Sequence, residues 1–308
     1  MKALLFPGQG SQSIGMGAEF YNKYEIVKKI FIEADDILKF KISKLILEGP
    51  DSELKLTMNT QPAILTVSYA IFCVLKKEFN FDLSNVKFMA GHSLGEYSAL
   101  VASDSLTLED AVSLVHERGK LMQAAVPEGK GAMLAVMGLN INELKTLLKN
   151  FNSKKGICEI ANDNSLSQII LSGDKDSIVA FSSILKSEKK KCIFLPVSAP
   201  FHCSLMKSAA EHMKTFLEKI NFKMPNQELI SNVTALPLQK DGDIKELLYR
   251  QIFSQVRWRE SVEYMINKGV NDFIEIGPGK VLSGLVKRTN DKVLSKCINK
   301  VEDIKSLL

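Results

Sequence analysis

The 308-residue chain has one tryptophan, four histidines and five cysteines, and these scarcities narrow what it can do. Cys73, Cys158, Cys192, Cys203 and Cys297 are odd in number and widely scattered, with no C-x-x-C pair and no Cys/His couple at zinc spacing. Neither a disulfide framework nor a structural metal is expected from such a pattern. Apolar residues make up 45% of the chain, yet no apolar run is expected to approach the ~20 residues of a membrane span. A soluble protein without membrane contact is expected. Neither sign of charge dominates: the net charge is +5, and the densest basic run is Lys189-Lys190-Lys191. That is too weak for a nucleic-acid protein, and it reads first as a solvated helix end and second as a face for an acidic protein partner. Ahead of the apolar strand expected at 2–6 the sequence shows no signal or transit segment, which makes the cytoplasm the expected compartment.

Two phosphate-binding patterns are also missing where glycine suggests them. Residues 6–17 read FPGQGSQSIGMG. A dinucleotide loop starting at Gly8 would need glycine where Ser13 stands, and a nucleoside-triphosphate loop starting at Gly10 would need Lys and Ser/Thr where Met16 and Gly17 stand. A tight turn explains the glycines but leaves Gln9 without a purpose.

What is present is an alternation of strand and helix. Strand 2–6, the glycine loop, helices around 17–47, helix 61–79, strand 86–90 and helices near 94–103 and 107–125 follow in order. Thr60 or Asn59 is expected to cap the helix at 61, with Pro62 in its first turn. From 127 to 197 the rhythm changes to strands 132–138, 156–161, 168–172 and 192–197 with helices 141–151 and 176–190. This β-α-β-β-α-β order is that of a ferredoxin-like split βαβ unit. A helix at 204–220, a strand near 228–233, helices near 243–266 and a strand at 272–276 resume the first pattern. The expected architecture is an α/β domain made of 1–126 and 198–308, with a ferredoxin-like subdomain inserted at 127–197.

At the end of strand 86–90 stands GHSLGEYSAL, a G-x-S-x-G pattern on Gly91, Ser93 and Gly95. Composition alone yields such a match in roughly one chain in ten of this length. A strand before it and a helix after it are what a nucleophile elbow requires, so Ser93 is the candidate nucleophile. A serine needs a base, and the four histidines are unequal candidates. His92 adjoins Ser93 at a turn where neighbouring side chains diverge, and His116 and His212 lie inside expected helices. His202, in VSAPFHCSLM between a strand and a helix, is placed to reach a cleft. Nothing in the sequence picks one carboxylate as a third member. Arg118, in the helix at 107–125, reads on its own as a solvated or paired surface residue.

FPGQGSQ at 6–12, TQPA at 60–63, GHSLGEYSAL at 91–100, ERGKLMQ at 117–123, VSAPFHCSLM at 197–206 and EIGPGKVL at 275–282 together resemble the malonyl-CoA:acyl carrier protein transacylases. The resemblance runs in order over nearly the whole chain. It implies an α/β-hydrolase-like core with an inserted ferredoxin-like subdomain, and an acyltransferase that moves malonyl from malonyl-CoA to the phosphopantetheine thiol of acyl carrier protein through a malonyl-serine intermediate, supplying fatty acid elongation with no bound cofactor. By this resemblance Ser93 is the nucleophile, His202 the base and acid, and the carbonyl of Gln251 the group that orients the histidine. The backbone N–H groups of Gln9 and Leu94 are implied as the oxyanion hole, giving the glycine loop its purpose. Arg118 becomes the holder of the malonyl carboxylate. Phe201 is implied in choosing malonyl over methylmalonyl, and Gln61, Met122 and Asn162 are implied near the acyl or coenzyme A pocket. Leu166-Ser167 depart from the Pro-Gly of many relatives. A thioesterase on the same elbow, a polyketide-type acyltransferase and a carrier-binding module with a vestigial elbow are the alternatives.

Overall fold

Short apolar runs build two separate sheets, and what each run must cover decides which sheet it joins. The computed structural model describes residues 1–151, 156–197 and 199–307. The chain begins with β1 (Lys2–Phe6), α1 (Ala18–Lys23), α2 (Glu25–Leu38), α3 (Ile42–Glu48), the single turn α4 (Asp51–Leu54) and α5 (Thr57–Glu78). It continues through β2 (Val86–Gly91), α6 (Gly95–Ala102) and α7 (Leu108–Ala124) to β3 (Gly131–Met137), α8 (Ile141–Phe151), β4 (Cys158–Ser165), β5 (Gln168–Asp174), α9 (Lys175–Ser187) and β6 (Lys191–Phe194). A 3-10 turn at Ser204–Met206 then leads into α10 (Lys207–Leu217), β7 (Glu228–Ile230), α11 (Gly242–Gln251), α12 (Trp258–Asn267), β8 (Asp272–Ile276), α13 (Val281–Thr289) and β9 (Leu294–Ile298). The fold is mixed α/β, with a parallel sheet ordered β7-β2-β1-β8-β9 and an antiparallel sheet ordered β4-β5-β3-β6.

β1 is a near-continuous apolar run and β8, although it carries Glu275, is buried from Phe273 to Ile276, because both faces of the parallel sheet are covered. The chain steps from β1 out to β2 and later returns to the other side of β1 with β8. At such a reversal the loops leaving the strand ends part and open a crevice. Phe6 pairs with Gly91 at the last register position, so the Gln9 loop and the Ser93 turn emerge side by side.

The antiparallel sheet alternates. Leu134 and Val136 of β3 face a separate apolar core shared with Leu148 and Phe151 of α8 and Phe181 and Leu185 of α9. Met133 and Ala135 face the larger core instead.

Several sequence expectations change here. α5 begins at Thr57 rather than 61, so Thr60 and Asn59 do not cap it and Pro62 lies in its interior. Pro62 has no N–H, which frees the Met58 carbonyl one turn earlier, and His116 Nδ1 takes that carbonyl at 2.8 Å. The Thr60 hydroxyl donates instead to the Leu54 carbonyl at 2.6 Å, and Asn59 to that of Glu53 at 2.9 Å, which ties α5 to α4. Contrary to the sequence expectation, one helix, α5, is long and apolar enough to cross a membrane; 89% of its most apolar window is buried inside the protein. A helix apolar all round is what a large core requires at its centre. The strand expected at 192–197 stops at Phe194, and Leu195 and Val197 turn away to line the cleft described below. β9 and α13 lie in the stretch after 276, where the sequence reading placed no elements.

Candidate active site

Ser93 sits in the turn between β2 and α6 with φ of 53°. A left-handed residue carrying a Cβ is strained, so this turn has to be held from outside. Its own N–H donates to Asn232 Oδ1 at 2.7 Å, its carbonyl accepts from Gln251 Nε2 at 3.1 Å, and Asn232 Nδ2 ties the Gly91 carbonyl at 2.7 Å. The two glycines serve close approach rather than unusual dihedrals. A Cβ on Gly91 would lie 1.9 Å from Gly95, and one on Gly95 would lie 2.1 Å from the Phe6 carbonyl oxygen.

His202 also stands in the left-handed region, with φ of 58°. The turn beneath it is fixed from β4, where Glu159 accepts from the Ser204 N–H at 2.8 Å and the Ser204 hydroxyl at 2.6 Å. The ring spans two partners: Nδ1 is 2.8 Å from the Gln251 carbonyl oxygen and Nε2 is 2.8 Å from Ser93 Oγ. A carbonyl can only accept, so Nδ1 carries the proton and Nε2 offers its lone pair to the Ser93 hydroxyl. Burial, with the positive charge of Arg118 adding to it, pushes the His202 imidazole down to about 3. The ring is therefore neutral, the form a base requires.

Arg118 is 1% exposed. Pro62 and the close packing of Gly119 against Met58 bring α7 onto α5, and the guanidinium donates to Gln61 Oε1 at 2.6 Å, Gln251 Oε1 at 2.8 Å and Ser93 Oγ at 3.0 Å. Among the described residues no carboxylate forms an ion pair with it, and its Nε has no partner. Burial lowers its pKa, opposed by the charges of Tyr97 and Glu96.

A cleft of about 230 Å³ opens over these groups. Gln9, Gln61, Ser93, Leu94, Arg118, Met122, Asn162, Phe201 and His202 all line it, while Gln251 lies buried beneath it. Among the described residues the backbone N–H groups of Gln9 and Leu94 donate to no other group. His92, which the sequence set aside, turns from Ser93 to Asn164 at 2.9 Å and packs on Trp258. His212 bonds only within its own helix.

Sequence reasoning missed Asn232, Glu96 and Glu159. Glu96 is buried beside Gln251 and Asn232, and burial raises its carboxyl to about 7 against the hydrogen bonds it accepts. The GHSLGE run holds Glu96 in plain view, but only its spatial neighbours reveal a use. Asn232 and Glu159 lie 139 and 45 residues from their partners, and no local pattern announces them.

A serine whose proton faces a neutral imidazole, beside two free N–H groups, defines an acyl-transfer class of site. The comparisons agree. The profile described as acyl transferase domain matches residues 3–307, and the chain belongs to this family. Its likeness is to one branch in particular: it is 45% identical to the malonyl CoA-acyl carrier protein transacylase of Bacillus subtilis (strain 168), over 98% of this chain and 94% of that protein. The crystal structure of an acyl carrier protein S-malonyltransferase from Vibrio cholerae superposes with a TM-score of 0.96 at 38% identity, covering 100% of this chain and 99% of that one. A malonyl-transacylase solved in complex with its type II polyketide acyl-carrier protein superposes with a TM-score of 0.95 at 39% identity, covering 100% and 98%.

Proposed function

We propose that this protein transfers malonyl from malonyl-CoA to the phosphopantetheine thiol of acyl carrier protein, supplying chain elongation in fatty acid synthesis. The observation that carries this reading is Arg118, a buried guanidinium 3.0 Å from Ser93 Oγ with no carboxylate among the described residues bonded to it. A buried cation of this kind suits an acyl group that brings its own carboxylate, which it can grip by two parallel hydrogen bonds. Malonyl is such a group, and acetyl is not.

In the first half-reaction His202 Nε2 takes the Ser93 proton as Oγ forms its bond to the thioester carbon. The oxyanion is held by the N–H groups of Gln9 and Leu94. As the C–S bond breaks, His202 returns the proton to the coenzyme A sulfur, leaving malonyl on Ser93. In the second half the carrier thiol gives its proton to His202 and attacks the ester carbon, and as the bond from that carbon to Ser93 Oγ breaks the proton passes back to Oγ, releasing malonyl-carrier and free enzyme. The Gln251 carbonyl holds Nδ1–H throughout, so no carboxylate is required. The ring of Phe201, which is 7% exposed and lines the cleft, fills space an α-methyl would need. Gln61, Met122 and Asn162 shape the acyl and coenzyme A ends of the cleft.

The same reading extends to architecture. The segment 127–197 is a ferredoxin-like subdomain in a hydrolase-like catalytic domain of 1–126 and 198–308. It is supported by the β3-α8-β4-β5-α9-β6 chain order, the β4-β5-β3-β6 sheet order and the separate core under that sheet. Ser198, where the second boundary falls, is outside the described residues.

Intact-protein mass spectrometry tests the chemistry. Malonyl-CoA adds one malonyl mass to the wild type and none to Ser93→Ala, and added carrier protein discharges it. A wild type that never carries the adduct, or loses it to water as fast with carrier as without, excludes the transferase.

A further inference from the structure

Glu96 stands in the first turn of α6, three residues after Ser93, and is 2% exposed. A buried carboxylate is costly unless its oxygens are satisfied, so its partners point to its use. Oε2 accepts from Gln251 Nε2 at 2.7 Å and from the Asn232 N–H at 3.1 Å. The other end of the same Gln251 amide meets Arg118 Nη2 at 2.8 Å, and the main-chain carbonyl of Gln251 meets His202 Nδ1 at 2.8 Å. Gln251 Nε2 also meets the Ser93 carbonyl at 3.1 Å, and a carbonyl only accepts while a guanidinium only donates, whatever the protonation of Glu96. The amide therefore has one satisfied orientation, with its NH2 toward Glu96 and its oxygen toward Arg118. Reversed, it would set oxygen against oxygen and N–H against N–H in a buried place.

We propose that Glu96 is a positioning residue for malonyl transfer: it locks the Gln251 side chain, and that amide holds Arg118 in register with Ser93 for the acyl carboxylate. This rests on the transferase reading above. Glu96 touches neither the reacting atoms nor the acyl group and acts through its two partners, Gln251 and Asn232. Its second bond, to the Asn232 N–H, braces the residue whose side chain pins the Ser93 turn. One carboxylate thus serves the selector and the nucleophile turn together, and its loss should fall hardest on the substrate that needs Arg118.

The test compares Glu96→Ala and Glu96→Gln with wild type, measuring acylation of Ser93 by malonyl-CoA and by acetyl-CoA with rapid-quench mass spectrometry, alongside Tm. The malonyl-to-acetyl ratio of kcat/KM falls ~10-fold or more in Glu96→Ala, the scale of one charge-assisted hydrogen bond lost. In Glu96→Gln, whose amide oxygen accepts the same two N–H groups, the ratio recovers to within about threefold of wild type. A merely structural role would lower both substrates together, in step with Tm. Glu96→Met, close in volume, replaces the alanine variant if that one fails to fold. An unchanged ratio in the apolar variants, or a Gln variant as impaired as they are, overturns the proposal while wild type still loads malonyl. A wild type that does not load malonyl overturns the transferase reading and this inference with it.

Discussion

The Ser93 turn and the His202 turn do the same unusual thing by different means. Each places a residue with a Cβ in the left-handed region, and the two side chains meet at 2.8 Å. The Ser93 turn is held mainly from the parallel-sheet side, through Asn232 after β7, Gln251 of α11 and the tight contact of Gly91 with Gly95, with one tie from His92 to Asn164 of β4. The His202 turn is held across the molecule, by Glu159 from the antiparallel sheet on one side and the Gln251 carbonyl on the other. The nucleophile is thus built mainly into one side, and the base is registered evenly between two. β4 carries that registration further: Asp163 N–H donates to the Val256 carbonyl at 3.0 Å, Val256 N–H to the Ala161 carbonyl at 2.8 Å, and the Asp163 carboxylate takes Arg259 Nη2 at 2.7 Å. Damage to the first turn should cost every substrate alike, whereas damage to the second should act through the base.

The largest break comes from Asn232→Ala. It leaves the half-buried Ser93 N–H and the buried Gly91 carbonyl without their partner beside a strained φ, at roughly 1–3 kcal/mol for the buried one and less for the other. Acylation is expected to fall about 100-fold or more for malonyl-CoA and acetyl-CoA equally, by rapid-quench mass spectrometry. A variant that keeps its rate would mean the turn holds itself.

Arg118→Ala sharpens the comparison because the guanidinium bonds Ser93 and its charge acts on His202. Malonyl loading is expected to drop ~10- to 100-fold, with acetyl loading reduced less, as expected when a charge-assisted pair is lost. The pH profile should move as well. The neutral imidazole is the active form, so activity is lost as pH falls through the His202 pKa, and a pKa lowered to about 3 keeps wild type active well below the ordinary histidine range. Burial is the main cause, and the Arg118 charge adds to it, with His92 a smaller contributor. Removing Arg118 therefore moves the acid limb upward. A wild-type limb near 6.5 that survives in Glu96→Gln would show His202 to be solvated; one near 7 that disappears there belongs to Glu96, whose carboxyl burial raises to about 7.

Much of this was legible in the sequence wherever the signal was local. The strand-turn-helix setting of Ser93 is a short-range pattern, and the structure has strand, turn and helix there, whereas Arg118, which its helix alone read as a surface residue, is buried. The start of α5 was misjudged because Pro62 satisfies a first-turn rule equally well when its missing N–H is put to use by His116 from another helix. Likewise, α5 by composition resembles a membrane span, and only its neighbours show it to be the middle of a core. The supports of the two turns were invisible because Asn232, Glu159 and Glu96 act through partners set by topology. β9 completes an edge of the parallel sheet with a half-polar strand, LSKCI, that carries little periodic signal.

Glu159→Ala gives a smaller effect, and it is the variant that separates the two turns. Ser204 loses two hydrogen bonds to a charged acceptor, so the turn bearing His202 loosens while the Ser93 turn keeps all its ties. Acylation and carrier discharge, which both use the base, should slow by roughly tenfold, the scale of one such bond net of solvation. KM for malonyl-CoA should stay near wild type, since Glu159 bonds neither Arg118 nor the groups that hold it. Smallest of all is the double change Leu166→Pro with Ser167→Gly, which introduces the Pro-Gly expected there from the family resemblance. Leu166 is exposed, and neither residue touches Ser93, His202 or Arg118. kcat should be unchanged, with any shift confined to KM for coenzyme A or carrier and within about threefold, as for surface changes generally. A large fall in kcat there would mean that the antiparallel half reaches the chemistry by a route other than β4, and the contrast between the two turns would have to be redrawn.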